Sequence, residues 1–430
     1  MGWRTCRLRR GICDNVVEKE RRLKFKDGDA QAMLVYFDRM TDDNQQFFHR
    51  HRLDEEGRIK DVLWVDARIP AAYDYFGDVV CFDATYLTND YELPFANFVG
   101  VNHHGQSILL GCALVSHEDA ETHSWVFSTW VKCMGGKAPQ CFLTDQDVAM
   151  HQALGNVMQG TCHWWCLWHI LTKFSEKLGM YKKYEEFKEE RHQAIYDSVS
   201  EEEFDKTWCD IIDKYGIGED TWLEGLYKER CMWVPAYLNH MFWAGMETIQ
   251  RSESVKSFFD GYVHKSTKLC DFAEQYCNAM ESRASSEKAA DANTCRYVRK
   301  RVTKFKAELV YQKLYTDSKF KEVQSECMKM LYVQWQGSRE VGENIQEHTL
   351  RDIIWVICKK SRKEVPTERR RMYRVRIDMG NTEACCECKL FESHGILCRH
   401  VINVYDILIM VIPEKYILMR WRKDVFGSIL

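Results

Sequence analysis

The sequence is short of the features that mark several classes of protein. Only 6 of its 430 residues are proline, so long proline-rich linkers are absent. The 60 basic and 64 acidic residues leave a formal net charge of −4, which argues against a protein that coats nucleic acid through its overall charge. The first residues lack the apolar stretch of a signal peptide, and the apolar run at 407–412 is far too short to span a bilayer. We therefore expect no membrane partner, and any contact with nucleic acid must come from a local patch.

The sequence does contain an ordinary share of apolar residues and many cysteines. Hydrophobic residues make up 45% and charged residues 29%, close to the averages for globular chains, and the length allows two or three domains. The 19 cysteines are scattered, and several lie in apolar runs where a reduced thiol acts as a small hydrophobic group. We expect an intracellular chain in which closely spaced cysteines bind metal rather than form disulfides.

The hydrophobic pattern divides the chain into regions. Residues 1–72 have a helical, polar pattern and predict an N-terminal helical linker region. Three apolar runs between residues 78 and 115 predict a three-strand meander, and a helix and a fourth strand follow up to residue 145. Residues 148–248 show helical periodicity without a strand signal, which predicts a helical insertion in a domain that covers 73–265.

The C-terminal part is predicted to be helical first and mixed afterwards. Residues 266–345 are polar and helical in pattern. Residues 346–425 contain two strand-like runs, a basic segment and a cluster of cysteines and histidines. The chain is therefore predicted to belong to the α/β class, with a small metal-binding domain at its C-terminal end.

Three acidic residues lie where they can form a metal site. Asp83 and Asp145 both end apolar strands, where a bare buried carboxylate is costly, and Glu253 lies where a helix should begin. Carboxylates from two strands and a helix can hold two Mg²⁺ or Mn²⁺ ions, which activate water or a 3′-hydroxyl for attack on phosphate. Two of these acids also have a simpler interpretation. Asp145 can cap the helix that begins at Asp147, and Glu253 can be a favourable negative charge in the first turn of a helix.

A C-terminal cluster has the composition and spacing of a zinc site. Cys386 and Cys388 form a C-x-C pair, and Cys398 and His400 follow after nine residues. Three thiolates and one imidazole are the ligands that a tetrahedral structural zinc prefers, and bound zinc contributes folding free energy to a segment with a modest core. The alternative is a set of four buried or incidental residues. The neighbouring Cys385 is not a predicted ligand.

A second group of cysteine, histidine and tryptophan residues occupies 162–169. Cys166 and His169 are three residues apart, so on a helix they share one face. They are candidates for a zinc site or for a contact with DNA. A tryptophan-rich core helix with a buried cysteine and histidine is the competing interpretation, because only two ligands are secure.

Positive charge is concentrated ahead of the C-terminal cluster. Such a segment can act as a nuclear-localisation signal or contact phosphates, and its alternative is a solvated hairpin face. The candidate residues are Lys359, Lys360, Arg362, Lys363, Arg369, Arg370 and Arg371.

Five short motifs, taken together, resemble those of Mutator-like transposases. They are FDATY at 82–86, FVGVN at 98–102, LTDQD at 143–147, CLWH at 166–169 and QRSES at 250–254. More narrowly, residues 28–423 resemble the far-red-impaired-response-related family of plant transcription regulators, which derive from such transposases. The resemblance implies an RNase-H-like core with a large helical insertion. The C-terminal cluster is similar to the SWIM zinc finger of the same family, which indicates interaction rather than chemistry.

The resemblance also assigns roles to the acidic residues. Asp83, Asp145 and Glu253 match the transposase catalytic positions, with Asp147 as a rival for the second place. Cys166 and His169 match the C-x2-H element that these transposases carry between the second and third acids. Retained acids do not imply cleavage in a family of regulators, so we expect no enzymatic activity, and an active transposase that cuts and joins DNA is the alternative.

The functional expectation is a nuclear, zinc-binding transcription regulator in light-signalling gene control. We expect DNA and proteins, including homologous family members, as partners, and no small-molecule substrate. Full-length members of the family open with a separate zinc-binding DNA-recognition module, and no such array of cysteines and histidines precedes Asp78. We therefore expect either a fragment or a member that lacks this module.

Overall fold

The computed structural model describes residues 28–85, 89, 93–246, 259, 261–264, 266–358 and 363–425. The strands in these ranges are β1 (Phe48–Leu53), β2 (Ile59–Val65), β3 (Val79–Thr85), β4 (Phe95–Val101), β5 (Ser107–Leu114), β6 (Cys141–Thr144), β7 (Cys162–Trp165), β8 (Gln334–Gly342), β9 (Ile345–Ile357), β10 (Glu364–Asp378) and β11 (Glu383–Cys386).

The helices are α1 (Asp29–Asp43), α2 (Ile69–Phe76), α3 (Ala120–Cys133), α4 (Val148–Val157), α5 (Leu167–Leu178), α6 (Tyr184–Asp197), α7 (Glu201–Tyr215), α8 (Thr221–Lys228), α9 (Pro235–Leu238), α10 (Leu269–Arg296), α11 (Lys306–Leu314), α12 (Asp317–Lys329), α13 (Leu390–His394) and α14 (Arg399–Ile407). In the described ranges, no helix combines the length and the apolar composition that crossing a membrane requires.

A mixed seven-stranded sheet forms the centre of the molecule. Its strand order is β1-β2-β5-β4-β3-β6-β7. The strands β3, β4 and β5 pair antiparallel as the predicted meander, while β6 runs parallel to β3 and β7 parallel to β6. The helices α3 and α4 supply the crossover connections that parallel strands need. The predicted α/β class is confirmed.

The N-terminal segment is less helical than the sequence predicts. The strands β1 and β2 form an antiparallel hairpin, and β2 extends the sheet by pairing with β5. The side chain of Asp54 stabilises the hairpin turn by accepting hydrogen bonds from the backbone nitrogens of Glu56 and Arg58, at 3.0 and 2.9 Å. The helical prediction was wrong here because nearly every residue of β2 is buried, Asp61 included, so its sequence does not alternate between apolar and polar residues.

The helical insertion has a core of its own but begins with a strand. The helices α5 to α9 enclose buried aromatic residues that include Phe174, Trp208 and Trp233. The prediction of no strand in 148–248 was wrong, because β7 lies there. With four residues, β7 is too short to show a recognisable alternation of apolar and polar residues. The helical prediction for 266–345 likewise missed β8, whose residues are exposed on nearly every position and carry no apolar alternation.

The C-terminal region folds around an antiparallel sheet of order β11-β10-β9-β8. Its core is continuous with the far edge of the central sheet, because Cys141 and Leu143 of β6 share one buried cluster with Leu350 of β9 and Val401 of α14. The C-terminal metal-binding region and the central sheet are therefore packed together.

Candidate metal centre and acidic site

The four predicted zinc ligands converge in the C-terminal region. Cys386 ends β11, Cys388 follows in the next loop, Cys398 caps α14 and His400 lies in its first turn. Their ligand atoms all lie within 4.8 Å of one another. A tetrahedral zinc with Zn–S bonds of about 2.3 Å separates its sulfur ligands by about 3.8 Å. The donor set and its spacing therefore fit a structural zinc ion.

The chain between the two ligand pairs is held by local backbone geometry. Gly395, which follows α13, has φ +70°, in the left-handed region that favours glycine. A Cβ atom at this position would lie 2.3 Å from Cδ1 of Leu418 and 2.7 Å from Nε1 of Trp421. The loop that delivers Cys398 is therefore packed directly against the C-terminal tail.

A buried carboxylate supports the histidine ligand from behind. Nε2 of His400 lies 3.1 Å from Oδ2 of Asp352, while its Nδ1 faces Sγ of Cys386 at 3.5 Å. Such a carboxylate fixes the tautomer and orientation of a metal-binding imidazole. Burial raises the pKa of Asp352, but the hydrogen bond from His400 and the charge of Arg399 outweigh it and hold the pKa below its ordinary value. The sequence-based prediction did not include Asp352, although an acidic residue inside a strand-like segment indicates a buried carboxylate that needs a partner.

The first two predicted acids lie at corresponding places of adjacent parallel strands, Asp83 within β3 and Asp145 directly after β6. Cys81 of β3 pairs with Leu143 of β6, and Asp83 and Asp145 each follow two residues later. Because side chains alternate along strands, both carboxylates belong to the same face of the sheet. Asp83 is buried, with 9% of its surface exposed.

The carboxylate of Asp145 is in an unfavourable setting. Its Oδ1 atom is buried and has no hydrogen-bond partner in the part of the chain that the structure describes. Burial, and then the charge of Asp147, raise the pKa of Asp145, and the nearby Lys173 offsets this in part. Asp147 is the residue that caps α4, because its Oδ1 accepts a hydrogen bond from the Met150 nitrogen at 2.8 Å. The interpretation of Asp145 as that cap was therefore wrong.

The C-x2-H element lies beside these acids. Cys166 directly follows β7 and precedes α5, and Nε2 of His169 in the first turn of α5 lies 3.6 Å from Oδ1 of Asp83. Cys166 is therefore a capping residue rather than part of the helix that was predicted to carry both. Among the described residues, these acids and the C-x2-H element do not form a three-ligand cluster as compact as the one around Cys386.

Part of the predicted basic segment is engaged within the chain. Nη1 of Arg369 lies 2.6 Å from Oδ2 of Asp197 in α6, and Arg371 forms an ion pair with Glu203 in α7. Lys363 and Arg370 are exposed. The predicted site residues Glu253, Lys359, Lys360 and Arg362 lie outside the described residues.

Comparison with known proteins identifies two domains. Residues 79–173 match the MULE transposase domain, and residues 373–405 match the SWIM zinc finger. Each match contains one of the two sites described above, since Asp83, Asp145, Cys166 and His169 lie in the first and the four zinc-type ligands in the second.

The chain is also similar to curated plant proteins over nearly all of its length. It is 36% identical to protein FAR-RED IMPAIRED RESPONSE 1 of Arabidopsis thaliana over 96% of this chain and 48% of that relative. It is 34% identical to protein FAR1-RELATED SEQUENCE 5 of the same plant, over 97% of this chain and 51% of that relative. With protein FAR1-RELATED SEQUENCE 9 the identity is 29%, over 92% of this chain and 70% of that relative. The chain spans about half the length of the first two relatives.

Proposed function

Because the chain belongs to the FAR1-related family derived from Mutator-like transposases, we propose that it is a nuclear transcription regulator that binds structural zinc and contacts DNA and protein partners. The observation that carries this proposal is a compact Cys₃His centre in the same chain as a MULE domain. The name of the relative FAR-RED IMPAIRED RESPONSE 1 refers to a response to far-red light, which supports light signalling as the process that this regulator serves. We also propose homologous family members among its partners.

The zinc centre acts in structure rather than in chemistry. Its four ligands all come from the protein, and Cys386, Cys398 and His400 are 3%, 1% and 1% exposed. A site closed by four protein ligands leaves no position for substrate, which is typical of structural zinc. Its role is to hold β11 and α14 together, so that the surface around them keeps its shape for a partner.

Contact with DNA is assigned to the exposed part of the basic segment. Phosphate contacts make binding weaken as salt rises. We expect Lys363→Ala/Arg370→Ala to weaken binding of mixed-sequence duplex DNA and to lower its salt dependence. The matched control is Lys177→Ala/Lys206→Ala, which removes two exposed lysines from the helical insertion. Fluorescence anisotropy measures the affinity and its salt dependence for both variants. The titration covers roughly 50 to 200 mM salt, the range over which phosphate contacts are weakened.

Unchanged binding in the first variant would contradict the assignment to Lys363 and Arg370 and place the DNA contact elsewhere. Absence of salt-dependent binding by the wild type would leave a pure protein-interaction scaffold. Nuclear location is tested separately with a fluorescent fusion of the full chain in plant cells. Exclusion of the wild-type fusion from the nucleus would contradict the proposal that the chain is a nuclear regulator. A reporter-gene assay with the chain tethered to a promoter then measures regulation directly.

We also propose that residues 73–265 form an RNase-H-like core with a helical insertion, α5 to α9, after β7. A region that is helical up to β8 follows at 266–345, and the basic and zinc-binding segment covers 346–425. The support is a mixed sheet in which an antiparallel meander continues into two parallel strands. The level placement of Asp83 and Asp145 favours a second candidate function, an active transposase. In that case the two aspartates and Glu253 would hold Mg²⁺ or Mn²⁺, which activates the attacking oxygen.

A nicking assay separates the two candidates. Purified chain is incubated with Mg²⁺ or Mn²⁺ and terminal-repeat DNA. We expect no nicking, as for a domesticated regulator. Nicking by the wild type that disappears in Asp83→Asn and persists in Asp210→Asn, which changes an exposed aspartate, would establish the transposase instead.

A further inference from the structure

The turn between β4 and β5 places two histidines beside a buried aspartate of α10. Nε2 of His103 and Nε2 of His104 each lie 2.8 Å from the same oxygen, Oδ1 of Asp291. The three residues are buried, and their ligand atoms lie within 4.8 Å of one another. Imidazole nitrogen and carboxylate oxygen are ligands of divalent transition metals. No sequence-based prediction assigned a role to these histidines.

Both histidines are held from the backbone side. Oδ1 of Asn102 accepts a hydrogen bond from the backbone nitrogen of His104 at 3.0 Å, which tightens the turn. The carbonyl oxygens of His103 and His104 accept hydrogen bonds from Oγ1 of Thr316 at 2.8 Å and Oγ of Ser318 at 2.7 Å. The two imidazoles are therefore positioned by fixed elements, as a metal site requires.

The surroundings of His103 favour a metal site over a hydrogen-bond network of two neutral imidazoles. If both neutral imidazoles donated from Nε2 to Asp291, Nδ1 of His103 would be an acceptor. That atom is buried without a hydrogen-bond partner in the described ranges, and Oε1 of Glu287, itself an acceptor, lies 3.7 Å away. With a metal on Nε2, Nδ1 carries the proton and faces a carboxylate, which is the usual arrangement behind a metal-binding histidine.

We propose that His103, His104 and Asp291 bind one divalent transition-metal ion, expected to be zinc, and that Glu287 orients His103. Three protein ligands leave the fourth tetrahedral position to water. A dication also balances the charges of the two carboxylates that α10 places here. The ion ties the β4–β5 turn to α10, across 188 positions of the chain between His103 and Asp291. This site is independent of the proposed function.

Metal analysis of the dialysed full chain tests the proposal. We expect the wild type to retain two zinc ions, and Cys388→Ser and His104→Asn/Asp291→Asn to retain one each. The matched control His240→Asn changes an exposed histidine and keeps both ions. Asp83→Asn also keeps both, because the acidic site is not the source of the second ion. A wild type with a single zinc that is lost in Cys388→Ser, or loss of the second ion in Asp83→Asn, overturns the proposal.

Cobalt substitution keeps the test decisive if His104→Asn/Asp291→Asn does not fold. Cobalt bound in Cys388→Ser should show ligand-field bands without a thiolate-to-cobalt charge-transfer band, since the second site has only nitrogen and oxygen ligands. Absence of bound cobalt in a folded Cys388→Ser chain overturns the proposal. So does a His104→Asn/Asp291→Asn chain that is folded by circular dichroism and still retains both ions.

Discussion

The buried guanidinium of Arg420 forms an ion pair with the partly exposed carboxylate of Asp78, 342 positions earlier in the chain. The same guanidinium donates a hydrogen bond from Nη2 to the carbonyl oxygen of Val101 at 2.8 Å and lies over the rings of Phe242 and Trp421. Asp78 precedes β3, so this contact joins the C-terminal tail to the central sheet. It couples the stability of the zinc-binding region to that of the MULE domain.

Replacing Arg420 with methionine should therefore destabilise the whole chain. Removing the guanidinium leaves the charge of Asp78 without its partner, which destabilises the folded chain. Because Asp78 is partly exposed, water reduces this cost, and we expect the free energy of unfolding to fall by about 2–3 kcal/mol. Urea unfolding measures it. The control Arg422→Met breaks a more exposed pair with Asp424 and should cost less than about 1 kcal/mol. Equal losses in the two variants would contradict the coupling role of Arg420.

The Cys₃His centre predicts a sharp difference between neighbouring cysteines. Cys398→Ser should lose zinc and unfold the C-terminal region at lower temperature, because bound structural zinc contributes directly to folding. Cys385→Ser should keep zinc, since Cys385 is exposed and its Sγ faces Lys389 and Glu392 rather than the cluster. Elemental analysis and thermal unfolding measure the two effects. Zinc loss in Cys385→Ser would show that the ligand set is different.

Asp352→Asn should weaken zinc binding without removing a ligand. The substitution removes the negative charge behind His400, and such partners typically change metal affinity about 10- to 100-fold. Competition with a zinc chelator gives the affinity. Asp406→Asn, on an exposed position of α14, is the matched control and should bind as the wild type does. An unchanged affinity in Asp352→Asn would mean that His400 needs no support from this carboxylate.

His163 should make stability fall in mild acid. Burial, and then the neighbouring His151, lower the pKa of His163 from 6.5 to about 4. Between these values the unfolded chain binds a proton that the folded chain does not, so stability is lost as the pH falls from about 6.5 towards 4. The contribution is on the order of 2 kcal/mol after allowance for partial exposure.

The measurement is urea unfolding of the wild type and His163→Gln at pH 7 and at pH 4.5. The variant should lose less stability between the two pH values, because glutamine does not titrate. His240→Gln, at an exposed position, should behave as the wild type does. The same loss in His163→Gln as in the wild type would assign the acid sensitivity to other groups.

Asp145→Asn should stabilise the chain at neutral pH when no Mg²⁺ or Mn²⁺ is added. The pKa of Asp145 is raised in the folded state, so the folded chain keeps the carboxyl proton at pH values where the unfolded chain has lost it. Stability therefore declines as the pH rises from 3.8 through the folded pKa. Asparagine cannot ionise and removes this loss. Thermal unfolding at pH 7 measures it, with the exposed Asp210→Asn as control. A lower unfolding temperature in Asp145→Asn would contradict the buried, ionisable state described here.

The local features of this protein can be predicted from its sequence. The C-x-C pair and the Cys-x-His pair that follows it predicted four candidate ligands, and these residues do converge. Apolar runs that end in acids predicted Asp83 and Asp145 at the ends of strands, and those strands are neighbours. These features could be read because the spacing of ligands and the period of a strand are properties of a few consecutive residues. Prediction failed for the short β7, the buried β2 and the exposed β8, because none of these strands shows an alternation of apolar and polar residues.

Contacts between distant residues, in contrast, depend on the tertiary fold. Asp352 lies behind His400, His169 lies beside Asp83, and His103 with His104 faces Asp291, although nothing in the local pattern pairs them. Each of these contacts joins residues 48 to 188 positions apart or different elements of the fold, and it exists because strand pairing and core packing bring those elements together. The spacing of residues predicts candidate ligands, but packing between elements sets their partners and their charge environment.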